Sequence, residues 1–170
     1  MIVLPDVQLM ELREATPGDL VRFDLRGASA LAIIMRQTEN GAVCAFLETN
    51  DEARPPFFMS MSIEGLMCMS FGGEWLLDLT FDANSFPGNS RYAEKHGVIH
   101  VGETVVAINL NRPPDDIRLR AIAFDLKAFK PVDVHRRTHA PVTSWKIWRT
   151  AAAKHEVNVE PLFSFTMSQS

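Results

Sequence analysis

The dominant period along the chain is two. Between Leu20 and Arg26, the apolar residues Val21, Phe23 and Leu25 alternate with Arg22, Asp24 and Arg26. Successive side chains of a strand point to opposite faces, so this stretch reads as a half-buried β-strand. Pro17-Gly18-Asp19 supplies a turn before it, and Gly27 breaks it. Ala30 to Met35 is an unbroken apolar run suited to a central strand. Asn40-Gly41 follows, and a tight hairpin turn favours this pair because both residues tolerate positive φ. Val43 to Glu48 reads as the return strand. Residues 18–48 therefore predict a three-stranded meander.

The alternation continues downstream. Phe58 to Ile63 and Leu66 to Phe71 predict a second hairpin around Glu64-Gly65. Glu74 to Asp82 places Trp75, Leu77, Leu79 and Phe81 on one face. Val98 to Val101, Thr104 to Leu110, Ser144 to Thr150 and Leu162 to Met167 complete the strand set. Ile117 to Phe129 fits two patterns. Leu119, Ile122, Leu126 and Phe129 are spaced as a helix face, whereas Ile117-Arg118-Leu119-Arg120 alternates; Pro131 ends the segment and strand is preferred. Ser90 to His96 and Ala151 to His155 suit single helical turns. About ten short strands with short connections predict a mainly β fold, an antiparallel β-barrel or β-sandwich with one or two short helices. Residues 1–170 read as one domain, with 83–97 the place where a minor boundary would fall. Phe23, Ile33, Phe46, Leu77, Leu79, Ile108 and Phe165 are expected in one shared core.

Gly18 to Asp24 followed by Ala30 to Met35 resembles the opening strands of SH3-like barrel proteins, toxin endoribonucleases among them. Ala28-Ser29 stand where those toxins carry an Arg-Pro pair. The resemblance ends at Met35, and no activity or site is carried over from it.

Composition narrows the class. The chain has 170 residues, 46% of them hydrophobic, with eleven Phe and three Trp. That suffices for a core that needs neither disulfide nor metal. The start, MIVLPDVQLMELRE, has no basic region leading a long apolar run, and no stretch approaches a membrane-spanning length. The expectation is a soluble, cytoplasmic protein with Cys44 and Cys68 as reduced, buried thiols. The net charge of −4 hides an asymmetry. Residues 1–85 carry 5 Lys and Arg against 13 Asp and Glu, and residues 86–170 carry 12 against 8. Opposed charge of this kind suits an anion or a second subunit, so a homo-oligomer is expected.

Candidate chemistry is sparse. His96 and His100 are four apart, as are His135 and His139. On extended chain, that spacing sets two rings about 13 Å apart, too far for one metal ion. The pairs Met59/Met61 and Met67/Met69 fit core packing better than copper ligation. No metal and no cofactor is therefore predicted. There is no G-x-S-x-G motif and no phosphate-cradling glycine loop. The basic, aromatic C-terminal half, with Trp145 and Trp148, admits single-stranded nucleic acid. The acidic overall charge counts against it. The leading reading is a non-enzymatic β-domain that binds a partner or a small anionic ligand. The alternative is an enzyme acting on an anionic substrate in a His/Arg-lined pocket. Either site is expected where the 83–97 and 131–141 segments meet, with Arg91, His96, His100, Arg136, Arg137 and His139 as the candidate residues.

Overall fold

The computed structural model describes residues 7–50, 55–62, 64–113 and 120–168. The described strands form three antiparallel sheets. The first contains β1 (Gln8–Glu11), β2 (Leu20–Leu25), β3 (Ala28–Thr38), β4 (Gly41–Glu48), β5 (Phe57–Ser62) and β6 (Met67–Ser70), in the order β1-β6-β2-β3-β4-β5. The second is built from β8 (Ile99–Val101), β9 (Val106–Leu110), β10 (Ile122–Asp125), β11 (Lys130–Val132) and β12 (Ala140–Val142), in the order β11-β10-β9-β8-β12. The third joins β7 (Leu76–Thr80), β13 (Ser144–Trp148) and β14 (Phe163–Thr166), with β13 central. None of the three closes into a barrel. The helical content described is two three-residue 3-10 segments, Leu12–Glu14 and Ala153–His155. No helix among the described residues is long and apolar enough to cross a membrane.

The meander over β2, β3 and β4 follows the sequence pattern, with Leu20 opposite Ile33 and Ile33 opposite Ala45. The second hairpin does not form. β5 pairs with β4, while β6 pairs with β2 and β1. Gly41 shows what favours the β4–β5 pairing. A Cβ there would lie 1.9 Å from the Met61 carbonyl oxygen, so only glycine admits β5 this close. Pattern alone cannot report such an approach, because both strands carry the same alternation in either pairing.

The expected single core is two. The main one lies between the six-stranded sheet and the other two sheets. It holds Leu20, Ile33 and Leu47 from the first sheet and Ile108, Phe124, Val142, Trp145 and Ile147 from the others. Leu77, Leu79 and Phe165 pack against it, partly buried. Phe23 and Phe46 belong instead to a second core on the opposite face of the six-stranded sheet, with Val21, Ala30, Ala32, Cys44, Phe57 and Cys68. All its buried members lie between Leu12 and Cys68, so the sheet curls over its own second face. Small residues make that curvature possible: Ala30, Ala32 and Ala42 are completely buried. Phe46 stacks on Phe57 at 5.1 Å and meets Phe23 edge-on at 5.9 Å. Each such ring removed from water contributes about 1.5–3 kcal/mol. Burial pushes the Cys44 thiol up to about 12, with Cys68 adding to the effect. Cys68 rises to about 11 for the same first reason, with Asp19 and Glu14 adding.

Three local expectations change. Phe81 lies past the end of β7 and is 55% exposed, not inward. Among the described residues of the ambiguous segment, Ile122–Asp125 is strand; Leu126 to Phe129 turns back, with the Phe129 N–H donating to the Asp125 carbonyl at 2.9 Å. Residues 114–119 lie outside the described residues. The 131–141 segment begins and ends in strand, because Pro131 and Pro141 sit on the edge strands β11 and β12, where a missing N–H leaves no ladder bond unmade.

Candidate functional site

The 83–97 and 131–141 segments do touch. The Gly88 N–H donates to the Arg136 carbonyl at 2.7 Å, and the Arg136 guanidinium meets the Glu94 carboxylate at 2.6 Å. Yet the six candidate residues do not converge on one cavity. Arg136 is already paired with Glu94. Arg137 and His96 are exposed. Partial desolvation, with a smaller push from Lys95, lowers the His96 pKa. His100 and His139 are buried, at 2% and 9% exposure.

The buried pair belongs to a structural network. Asn109 of β9 directs its side-chain amide at three acceptors: the Ala93 carbonyl at 3.0 Å, the Lys95 carbonyl at 3.2 Å and His100 Nε2 at 3.0 Å. A primary amide has two hydrogens, so these bonds are shared, and His100 serves as an acceptor only when its Nε2 is unprotonated. Burial, and then the neighbouring His139, hold the His100 pKa down to about 4. His139 is fixed through Nδ1 by the His135 carbonyl at 2.9 Å and by Thr138 Oγ1 at 3.1 Å. Its Nε2 faces Gly102, where a Cβ would approach within 2.6 Å. The network fastens the 83–97 segment to the sheet.

A concavity lies beside it. A groove of about 1180 Å³ runs between Leu47–Asn50, past the end of the β4–β5 pairing, and the stretch Phe163–Ser168 on and after β14. Arg91, Tyr92 and Lys95 line it from the 83–97 segment, and Thr143 and Ser144 from the start of β13. Among the described residues, the side chains of Arg91 and Lys95 have no carboxylate partner. Arg91 lies over the Tyr92 ring at 5.4 Å, a cation–π contact that holds it without neutralising it. The two described carboxylates that line the groove have partners of their own. Glu48 pairs with Arg22 at 2.9 Å. Asp82 accepts from the Asn84 N–H at 2.7 Å and from Ser85 Oγ at 3.3 Å. The result is a polar trough with two uncommitted cations and a row of hydroxyls, Ser144, Ser164 and Thr166.

Of the six candidates, Arg91 alone lines this groove. Tyr92 and the β14 hydroxyls were missed by sequence reasoning, which counts Lys95 among the basic residues of the 83–97 segment. The Phe-Ser-Phe-Thr alternation of β14 is legible, but its place at a sheet edge depends on pairing with β13, about twenty positions away along the chain. Among the described residues, no cluster of three or more His, Cys, Asp or Glu is arranged to hold a metal ion. No family model, curated protein or solved structure matches the chain.

Proposed function

We propose that this chain is a ligand-binding β-domain whose ligand carries a carboxylate or phosphate, seated in the groove with its anion against Arg91 and Lys95. The observation that carries the reading is the unpaired state of these two cations beside carboxylates that are already engaged. An anion there gains charge-assisted hydrogen bonds without displacing an internal ion pair. The groove exceeds the usual size for one small metabolite, which favours an elongated ligand. The enzyme reading has less support, because His100 and His139 are buried and one ring nitrogen of each is already held by an internal partner. The test is a titration with inorganic phosphate and with glutarate, followed by backbone amide shifts. Shifts centred on 91–95 and 163–168, lost in an Arg91→Ala, Lys95→Ala double variant, are expected. Shifts centred instead on Arg136 and Arg137, or none at all, would defeat the reading.

We also propose self-association through the β1 edge. Leu9 and Met69 stand directly opposite each other on the β1–β6 pair and are 73% and 44% exposed. Met67 adds a third exposed apolar side chain on the same face. An open strand edge flanked by apolar side chains is a template for pairing with a second copy.

A further inference from the structure

Which part of β14 the groove follows decides what kind of molecule it admits. Side chains alternate between the two faces of a strand, so a cavity on one face meets every second residue. This groove is lined by every residue from Phe163 to Ser168. It therefore runs along the edge of the strand, where the backbone is presented. Among the described strands, β14 is an edge strand, hydrogen-bonded to β13. Met167 donates its N–H to the Thr143 carbonyl at 2.9 Å, which sets the side of the strand that faces β13. By alternation, Ser164 and Thr166 turn their N–H and C=O groups outward, into the groove. The opposite wall is again consecutive chain, Leu47 to Asn50, at the point where β4 has run past Phe46, its last residue paired with β5.

We infer that the groove takes an extended peptide, added as a further antiparallel or parallel strand on the β14 edge, with an acidic side chain or terminal carboxylate held by Arg91 and Lys95. This rests on the anion-binding reading above and names the class of ligand. Outward amides and carbonyls at Ser164 and Thr166 supply main-chain bonds, the means by which strand addition gains affinity. The β14 edge, Phe163–Thr166, spans about 13 Å at roughly 3.3 Å per residue, and the groove continues past it to Ser168. Charge supplies the selectivity, since Glu48 and Asp82 are engaged and Arg91 and Lys95 are not.

The experiment uses three probes on the full chain. One is a six-residue acetylated peptide of alternating valine and threonine ending in glutamate with a free carboxylate. The second is the same peptide N-methylated at alternate amides, and the third is glutarate. The intact peptide should slow hydrogen exchange at the Ser164 and Thr166 amides and bind about tenfold or more tighter than its N-methylated form, the equivalent of one or two lost hydrogen bonds. A Ser164→Pro variant, which removes an outward donor from an edge strand, should weaken the intact peptide by a larger factor than it weakens glutarate. Where that variant loses its dispersed amide spectrum, the comparison of the two peptides on the unaltered protein decides. Equal binding of both peptides at Arg91 and Lys95 would overturn strand addition and leave the anion site standing. Absence of shifts at the groove with all three probes would overturn both. Protection confined to β1 or β5 would overturn the location.

Discussion

The indole N–H of Trp145 donates to the Gly97 carbonyl at 2.8 Å, inside the main core. Gly97 is thereby held at a crossing. Its φ is +79°, its N–H donates to the Asn109 carbonyl at 2.8 Å, and a Cβ would lie 2.3 Å from the Phe165 ring and 2.9 Å from Pro56. Trp145 in turn stacks on Phe165 at 5.4 Å. One backbone position thus links the 83–97 segment to β13 and to the strand that walls the groove.

Gly97→Ala should therefore cost at least about 2 kcal/mol, combining left-handed backbone strain with displacement of a packed ring. Urea unfolding measures the loss. The Trp145 indole N–H resonance should move as well, since its acceptor shifts. An alanine variant as stable as the parent would mean that the crossing is looser than described.

His100 gives the fold a defined acid limb. Its pKa is held down to about 4 from an ordinary 6.5, so the unfolded chain binds the proton more readily. The stabilisation is full above about pH 6.5 and is lost as pH falls toward 4. The total is about 3 kcal/mol, from the free energy of one pKa unit. Urea midpoints at pH 7, 6 and 5 should fall more steeply for the parent than for His100→Gln, and parallel lines would contradict the assignment.

Arg136→Ala should change little. Its ion pair with Glu94 is solvent-exposed on both sides, and pairs of this kind contribute at most about 1 kcal/mol. Phosphate and glutarate shifts at 91–95 should persist in this variant. Their loss would return the anion site to the 131–141 segment.

Leu9→Lys tests the proposed self-association. A charged side chain at the β1 edge opposes pairing with a second copy. Sedimentation equilibrium should show the parent associating and the variant monomeric. A monomeric parent would remove the proposal, and an associating variant would place the contact elsewhere.

How much of this was legible in the sequence varies by element. Val21, Phe23 and Leu25 announced their strand because alternation is a local property. So did Asn40-Gly41, whose backbone freedom is written in two adjacent residues. The division of Phe46 from Ile33 into separate cores was not legible. Both are apolar and completely or almost completely buried, and only the curl of the sheet tells their surroundings apart. The candidate site failed in a similar way. Arg91 and Arg136 look alike in sequence, and Glu94, three residues beyond Arg91, pairs with the distant arginine instead.

The burial of β3 and β4 on both faces also shapes how the molecule comes apart. The outer face of β3 and β4 depends on Trp145, Ile108 and their neighbours, whereas the buried described residues of the inner core all lie between Leu12 and Cys68. Loosening of the C-terminal sheets therefore strips one side of these strands and leaves the other packed. Opening of the groove wall at β14 and global unfolding become separable events, because the curled sheet beneath retains its own inner core.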